Sequence, residues 1–202
     1  MMRRNDLETN FEETTRLAYN ILIKYSDGTF PIDIFKIIRE NFKNIKLIPF
    51  SKWKAKTKVN GTMFEELKTD YGMAFYDEKK YCIIYNDAKC LQTQRWTLAH
   101  ELGHILRGHL SNNEYLMCSP DNTPFEMEAN TFAKQLLVPF PVIRYLFSFL
   151  GRGEIYPYDI EGIFDVGIGA SSYIINHLNK LRYLPTNINL ENKFRNYFLK
   201  WR

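Results

Sequence analysis

Cysteine is scarce in this chain. Cys82, Cys90 and Cys118 are the three in 202 residues, an odd number with no paired spacing. That excludes a disulfide framework and points to a reducing compartment. Long apolar runs are missing too: no stretch reaches the roughly 18 residues that a membrane helix needs. The opening Met-Met-Arg-Arg-Asn-Asp lacks the apolar segment of a secretory signal, so a cytoplasmic protein without membrane association is expected. Excess charge is small. A net charge of +4 is too little to imply nucleic-acid binding. No repeat or low-complexity tract appears. What the chain does have is 45% hydrophobic residues, enough at this length for one sizeable core and a small appendage.

Histidine is also rare, but it is concentrated. Of four in the chain, His100, His104 and His109 fall within ten positions. The run Arg95-Trp-Thr-Leu-Ala-His-Glu-Leu-Gly-His contains no proline, and Leu98, Leu102, Ile105 and Leu106 gather on one side of it. This predicts a helix that buries one face and turns His100 and His104 toward a cleft. On a helix the two imidazoles are about 40° apart and one turn removed, so both can reach one metal ion. Glu101 then stands at the flank, placed to take a proton from a water without being a ligand. The pattern is that of a zinc hydrolase. Gly103 lies between the histidines and costs the helix roughly 1 kcal/mol relative to Ala, which suggests close approach of another backbone or of substrate.

Catalytic zinc normally has three protein ligands. His109 follows His104 by five residues, and a continuing helix would rotate it about 140° away, so a helix-end or surface position is expected for it. The segment Glu126-Met-Glu-Ala-Asn-Thr-Phe-Ala-Lys-Gln-Leu-Leu-Val-Pro139 reads as a second helix with Ala129, Phe132, Ala133, Leu136 and Leu137 as its apolar stripe. Glu128, at the edge of that stripe, is the favoured third ligand. Glu126 competes but is expected nearer solvent. Phe132 occupies the position where many zincins carry an aspartate that orients a ligand histidine, so Asn130 or a backbone carbonyl is left for that role. Cys118, between the two helices, is expected to be a plain loop thiol.

The run Gln94 to His104, then Glu128-Ala-Asn-Thr-Phe-Ala, Leu136-Leu-Val-Pro and the preceding Tyr81-Cys-Ile-Ile-Tyr-Asn, resembles the ImmA/IrrE family of metallo-endopeptidases. The resemblance covers roughly residues 15 to 185. It implies a zincin-like fold, Zn2+ held by His100, His104 and Glu128, and Glu101 as the catalytic base. It also implies a bacterial or phage-borne protein whose substrate is a partner protein, characterised members cleaving a helix-turn-helix repressor encoded beside them.

Around these motifs the chain reads as α+β. Thr9-Asn-Phe-Glu12 is a capping-box pattern opening a helix to about Tyr25, with Phe11, Leu17, Ala18, Ile21 and Leu22 as its buried side. Pro31 starts a second helix through Phe42. A short strand over Ile45–Phe50 is followed by a hairpin of Gly72–Tyr76 and Lys80–Tyr85, giving a small antiparallel or mixed sheet that can hold an extended substrate by strand addition. Lys52, Lys54, Lys56 and Lys58 alternate with apolar or neutral residues, and in an extended segment they would share one solvated face. Residues 1–140 are expected to form the metallopeptidase domain and 141–202 a helical subdomain packed on it. The helix-turn-helix outline of residues 160–181 offers few basic contacts, so direct nucleic-acid binding is not expected. The competing function is a noncatalytic zinc-binding regulator or toxin-antitoxin component. Retention of Glu101, useless to a purely structural site, favours the enzyme.

Overall fold

The computed structural model describes residues 9–57, 69–77, 79–110 and 123–200. Cys118 and Lys58 lie outside them. Two N-terminal helices, α1 (Phe11–Tyr25) and α2 (Ile34–Asn41), lead into strand β1 (Ile45–Pro49). The cap of α1 is Asn10 rather than Thr9: its side chain accepts from the Glu13 backbone N–H at 2.9 Å. Phe11, in the first turn, is 39% exposed, while Tyr19 joins Ala18, Ile21 and Leu22 inside. Helix α2 begins later than Pro31 because Asp33 supplies the capping oxygen, to Lys36.

Strands β2 (Gly72–Tyr76) and β3 (Tyr81–Tyr85) form the antiparallel hairpin, and β1 runs parallel to β3 on its other side, giving the order β1-β3-β2. The alternation of a pleated strand sends Ile83 into the main core and Ile84 into a smaller cluster with Phe50 and Met73. Between β1 and β2 the residues Phe50–Thr57 form helix α3, not a lysine-lined strand. The segment has neither glycine nor proline, and a helix turns alternate residues by about 200°, so a period-two alternation does not define a face there.

Helices α4 (Leu91–Leu106) and α5 (Pro124–Leu137) carry the two motifs. Leu98, Leu102, Phe132, Ala133 and Leu136 are fully buried between and beneath them. Gly103 has its reason here: a Cβ on it would lie 3.1 Å from the Phe132 side chain, so the glycine admits that ring rather than a backbone or a substrate. On its sheet side α4 is held as closely, since a Cβ on Gly72 of β2 would meet Thr97 Cγ2 at 2.5 Å.

Helices α6 (Phe140–Leu150), α7 (Pro157–Phe164), α8 (Ile168–Leu178) and α9 (Ile188–Leu199) complete the described chain. Their Leu146, Ile160, Phe164, Ile174, Leu190, Phe194 and Phe198 enter the same core as α4 and α5, whereas Tyr173 stays half exposed. Phe30 stacks on Phe194 at 4.4 Å and meets Phe164 edge-on at 4.6 Å. Buried Arg95 of α4 donates to the Ile32 and Phe164 carbonyls and pairs with Asp165 at 2.9 Å, tying α7 to the back of the metal-motif helix. The structure is mixed α+β, as the periodicities require. Among the described residues no helix is long and apolar enough to cross a membrane.

Candidate metal centre

Helix α4 brings His100 and His104 together as their spacing dictates, with the two Nε2 atoms 3.0 Å apart. The carboxylate that meets them is Glu126, not Glu128. Its Oε2 lies 3.1 Å from His100 Nε2 and its Oε1 3.4 Å from His104 Nε2. His100, His104 and Glu126 are the group of potential ligands that converges among the described residues. The reason is angular. Three residues separate Glu126 from Ala129 and four separate it from Asn130, so Glu126 is on the inner face of α5 and only 8% exposed. That i, i+3, i+4 relation was visible in the sequence and contradicts the solvent-side placement expected for Glu126.

Glu128 is two residues on, about 200° around the helix, and faces α1. Its Oε1 accepts from the Asn10 backbone N–H at 2.6 Å, and its Oε2 accepts from Arg107 Nε at 2.9 Å. Gln135, seven residues further along the same face, accepts from Tyr19 Oη of α1 at 2.7 Å.

His109 is buried, which the assumption of a continuing helix missed. Helix α4 ends at Leu106 with Arg107 as its cap, and Gly108 adopts φ +70°, the left-handed conformation of a C-terminal glycine. The His109 N–H then returns to the His104 carbonyl at 3.0 Å and the Gly108 N–H to that of Ile105 at 3.1 Å. This turn sets His109 Nδ1 3.0 Å from His104 Nδ1, and His109 Nε2 3.0 Å from Glu128 Oε2. Gly108 was the available signal.

The donor set suits a cation. Asn130 Oδ1 accepts from the His100 Nδ1–H at 3.1 Å, the orienting role for which Asn130 was one of two candidates. With that proton placed, His100 Nε2 presents a lone pair toward Glu126. His104 Nε2 and the Glu126 oxygens face the same point, so acceptors meet acceptors at about hydrogen-bond distance, and a bound cation satisfies them. Two imidazoles and a carboxylate are a zinc-type set.

The electrostatics agree. Burial works against ionisation of Glu126, but the closeness of the His100 and His104 rings outweighs it and brings its carboxyl down to about 2. Burial opposes the charged form of His100 as well, yet Glu126 and Glu101 hold its pKa above the ordinary value. Glu101 is 8% exposed and its carboxyl is raised by burial, with the two histidines and a hydrogen bond from the Ala74 backbone pulling the other way. Burial pushes His109 down to about 4 despite its contact with Glu128, so it is neutral near pH 7. A buried carboxyl raised above its ordinary value, beside these candidate ligands and against β2, suits a base that first accepts and later releases a proton.

Comparison with known proteins agrees with these features. Residues 61–151 match the family Peptidase_M78, the IrrE N-terminal-like domain. The match encloses the hairpin, α4 and α5, and supports the ImmA/IrrE identification made from the motifs. No curated protein matches the chain.

Proposed function

From a chain whose residues 61–151 carry the IrrE N-terminal-like peptidase match, we propose a zinc-dependent endopeptidase that hydrolyses a peptide bond in a partner protein. The observation that carries the reading is Glu101: a buried carboxylate beside the His100, His104 and Glu126 group that is not one of its members. A structural site has no use for it. His100, His104 and Glu126 would hold the ion. Zinc, when bound, supplies Lewis-acid polarisation of the scissile carbonyl and lowers the pKa of a water toward about 7.

The remaining work belongs to the chain. Glu101 takes one proton from the attacking water as its oxygen bonds to the carbonyl carbon, and delivers a proton to the amide nitrogen as the C–N bond breaks. The carboxylate is thereby regenerated. Strand β2 pairs with β3 on one side only among the described residues, and its other edge offers backbone groups to an extended peptide beside Glu101. The family resemblance makes a helix-turn-helix repressor the proposed substrate.

Glu101→Gln keeps the shape and removes the base. It is expected to retain zinc, by metal analysis, while cleavage of the repressor encoded beside its gene falls by roughly 10²–10⁴-fold, read by mass spectrometry. Cleavage at a rate close to wild type would refute the mechanism.

A further inference from the structure

We propose that His109 and Glu128 are positioning residues that hold His104 in the one tautomer able to bind metal through Nε2. The inference rests on the zinc reading above. It accounts for two residues that the hydrolytic mechanism leaves unused.

Each neutral imidazole carries one proton, so a contact between two Nδ1 atoms at 3.0 Å requires a donor on one ring and a bare nitrogen on the other. Which ring donates is decided at the far end. Glu128 Oε2, 3.0 Å from His109 Nε2, can only accept, since the same carboxylate already takes hydrogen bonds from Arg107 Nε and the Asn10 N–H. His109 therefore keeps its proton on Nε2. Its Nδ1 is bare and accepts from the His104 Nδ1–H. The lone pair of His104 is then on Nε2, pointing at Glu126 and His100. The opposite order would put a proton on His104 Nε2, where a metal must bind.

The surroundings hold this order in place. The His109 ring lies against Phe125 at 4.5 Å between centroids, and the Gly108 turn fixes its backbone to His104. Arg107 pairs with Glu13 of α1 at 2.8 Å as well as with Glu128, so the N-terminal helix anchors the outer end of the chain of hydrogen bonds. His100 is oriented by a single amide, Asn130; His104 is oriented by a histidine and a carboxylate in series. Outer partners of this kind typically govern metal affinity by 10–100-fold.

Three measurements on the full chain test this. In metal-free protein labelled with nitrogen-15 in histidine, at mildly alkaline pH, ring-nitrogen NMR should show His104 protonated on Nδ1 and bare on Nε2. His109→Leu, which offers no acceptor, should weaken zinc binding roughly 10–100-fold in a chelator competition. His109→Gln, whose amide supplies both an acceptor and a donor, should restore near wild-type affinity.

A proton on His104 Nε2 in the wild type would overturn the proposal, as would undiminished zinc affinity in His109→Leu. Failure of Gln to bind more tightly than Leu would do the same. Should the Leu variant not fold, the wild-type spectrum and the Gln variant decide. Wild-type protein that binds no zinc would instead refute the preceding section, leaving the tautomer measurement intact.

Discussion

Glu126 and Glu128 are chemically identical and two residues apart, and the helix makes them different. A rotation of about 200° gives one carboxylate to the histidine pair and the other to Arg107, Asn10 and His109. Removing each should therefore have unequal effects. Glu126→Ala deletes a proposed ligand and should cost far more zinc affinity than the roughly 10–100-fold expected of an outer partner, while Glu128→Ala should stay within that range. Chelator competition on both purified variants separates them. A metal-free Glu128→Ala beside a zinc-loaded Glu126→Ala would restore the ligand assignment that the apolar stripe first suggested.

Among the elements, the C-terminal turn of α4 has the largest consequence. A helix continuing past Leu106 would carry His109 away from His104; the left-handed Gly108 brings it back. Among the described residues an alanine there meets no neighbouring atom, so its effect reads backbone strain. Gly108→Ala should lose about 1–2 kcal/mol. For a chain of this size each 1 kcal/mol corresponds to roughly 2–4 °C in the melting temperature. An unchanged melting temperature would mean that the turn does not require its left-handed residue.

Across the whole molecule, the C-terminal helices are joined to the motif helices by an unusual contact. Lys134 of α5 is 1% exposed; its Nζ lies 3.0 Å from His177 Nδ1 of α8, with the Tyr173 and Phe140 rings at 5.3 and 5.6 Å. Burial lowers its pKa from 10.5 to about 8. The folded state thus releases this proton at lower pH than the unfolded chain. Between about pH 8 and 10.5 the unfolded state binds more protons, and this group's contribution to stability rises with pH; below pH 8 that contribution is absent. Denaturant titrations across this window should show a rise in the stability of the wild type with pH that Lys134→Met lacks. Parallel profiles would mean that Lys134 is not held in an apolar setting between the two regions.

The local patterns determined much of this protein. The spacing of His100 and His104, the Glu101 between them and the alternation of the hairpin are properties of neighbours, set by a turn of 100° per residue in a helix and 180° in a strand. The α+β class followed from the same periodicities, while Asn130 was one of two candidate partners for His100, the other being a backbone carbonyl. Glu126 too was within reach, since three and four residues separate it from Ala129 and Asn130. What no local pattern contained was the choice made by contacts distant in sequence. Asn10 and Glu128 are 118 residues apart, and Arg95 and Asp165 are 70 apart. Whether a carboxylate coordinates metal or orients a histidine depends on which helix packs across from it. Likewise the fate of residues 50–57, helix rather than lysine-faced strand, was open in a segment without strong signals, and Gly103 revealed its purpose only when Phe132 lay over it. Hydrogen bonds and ring contacts reach only a few ångströms, so such choices fall to the packed chain, where residues remote in sequence first become neighbours.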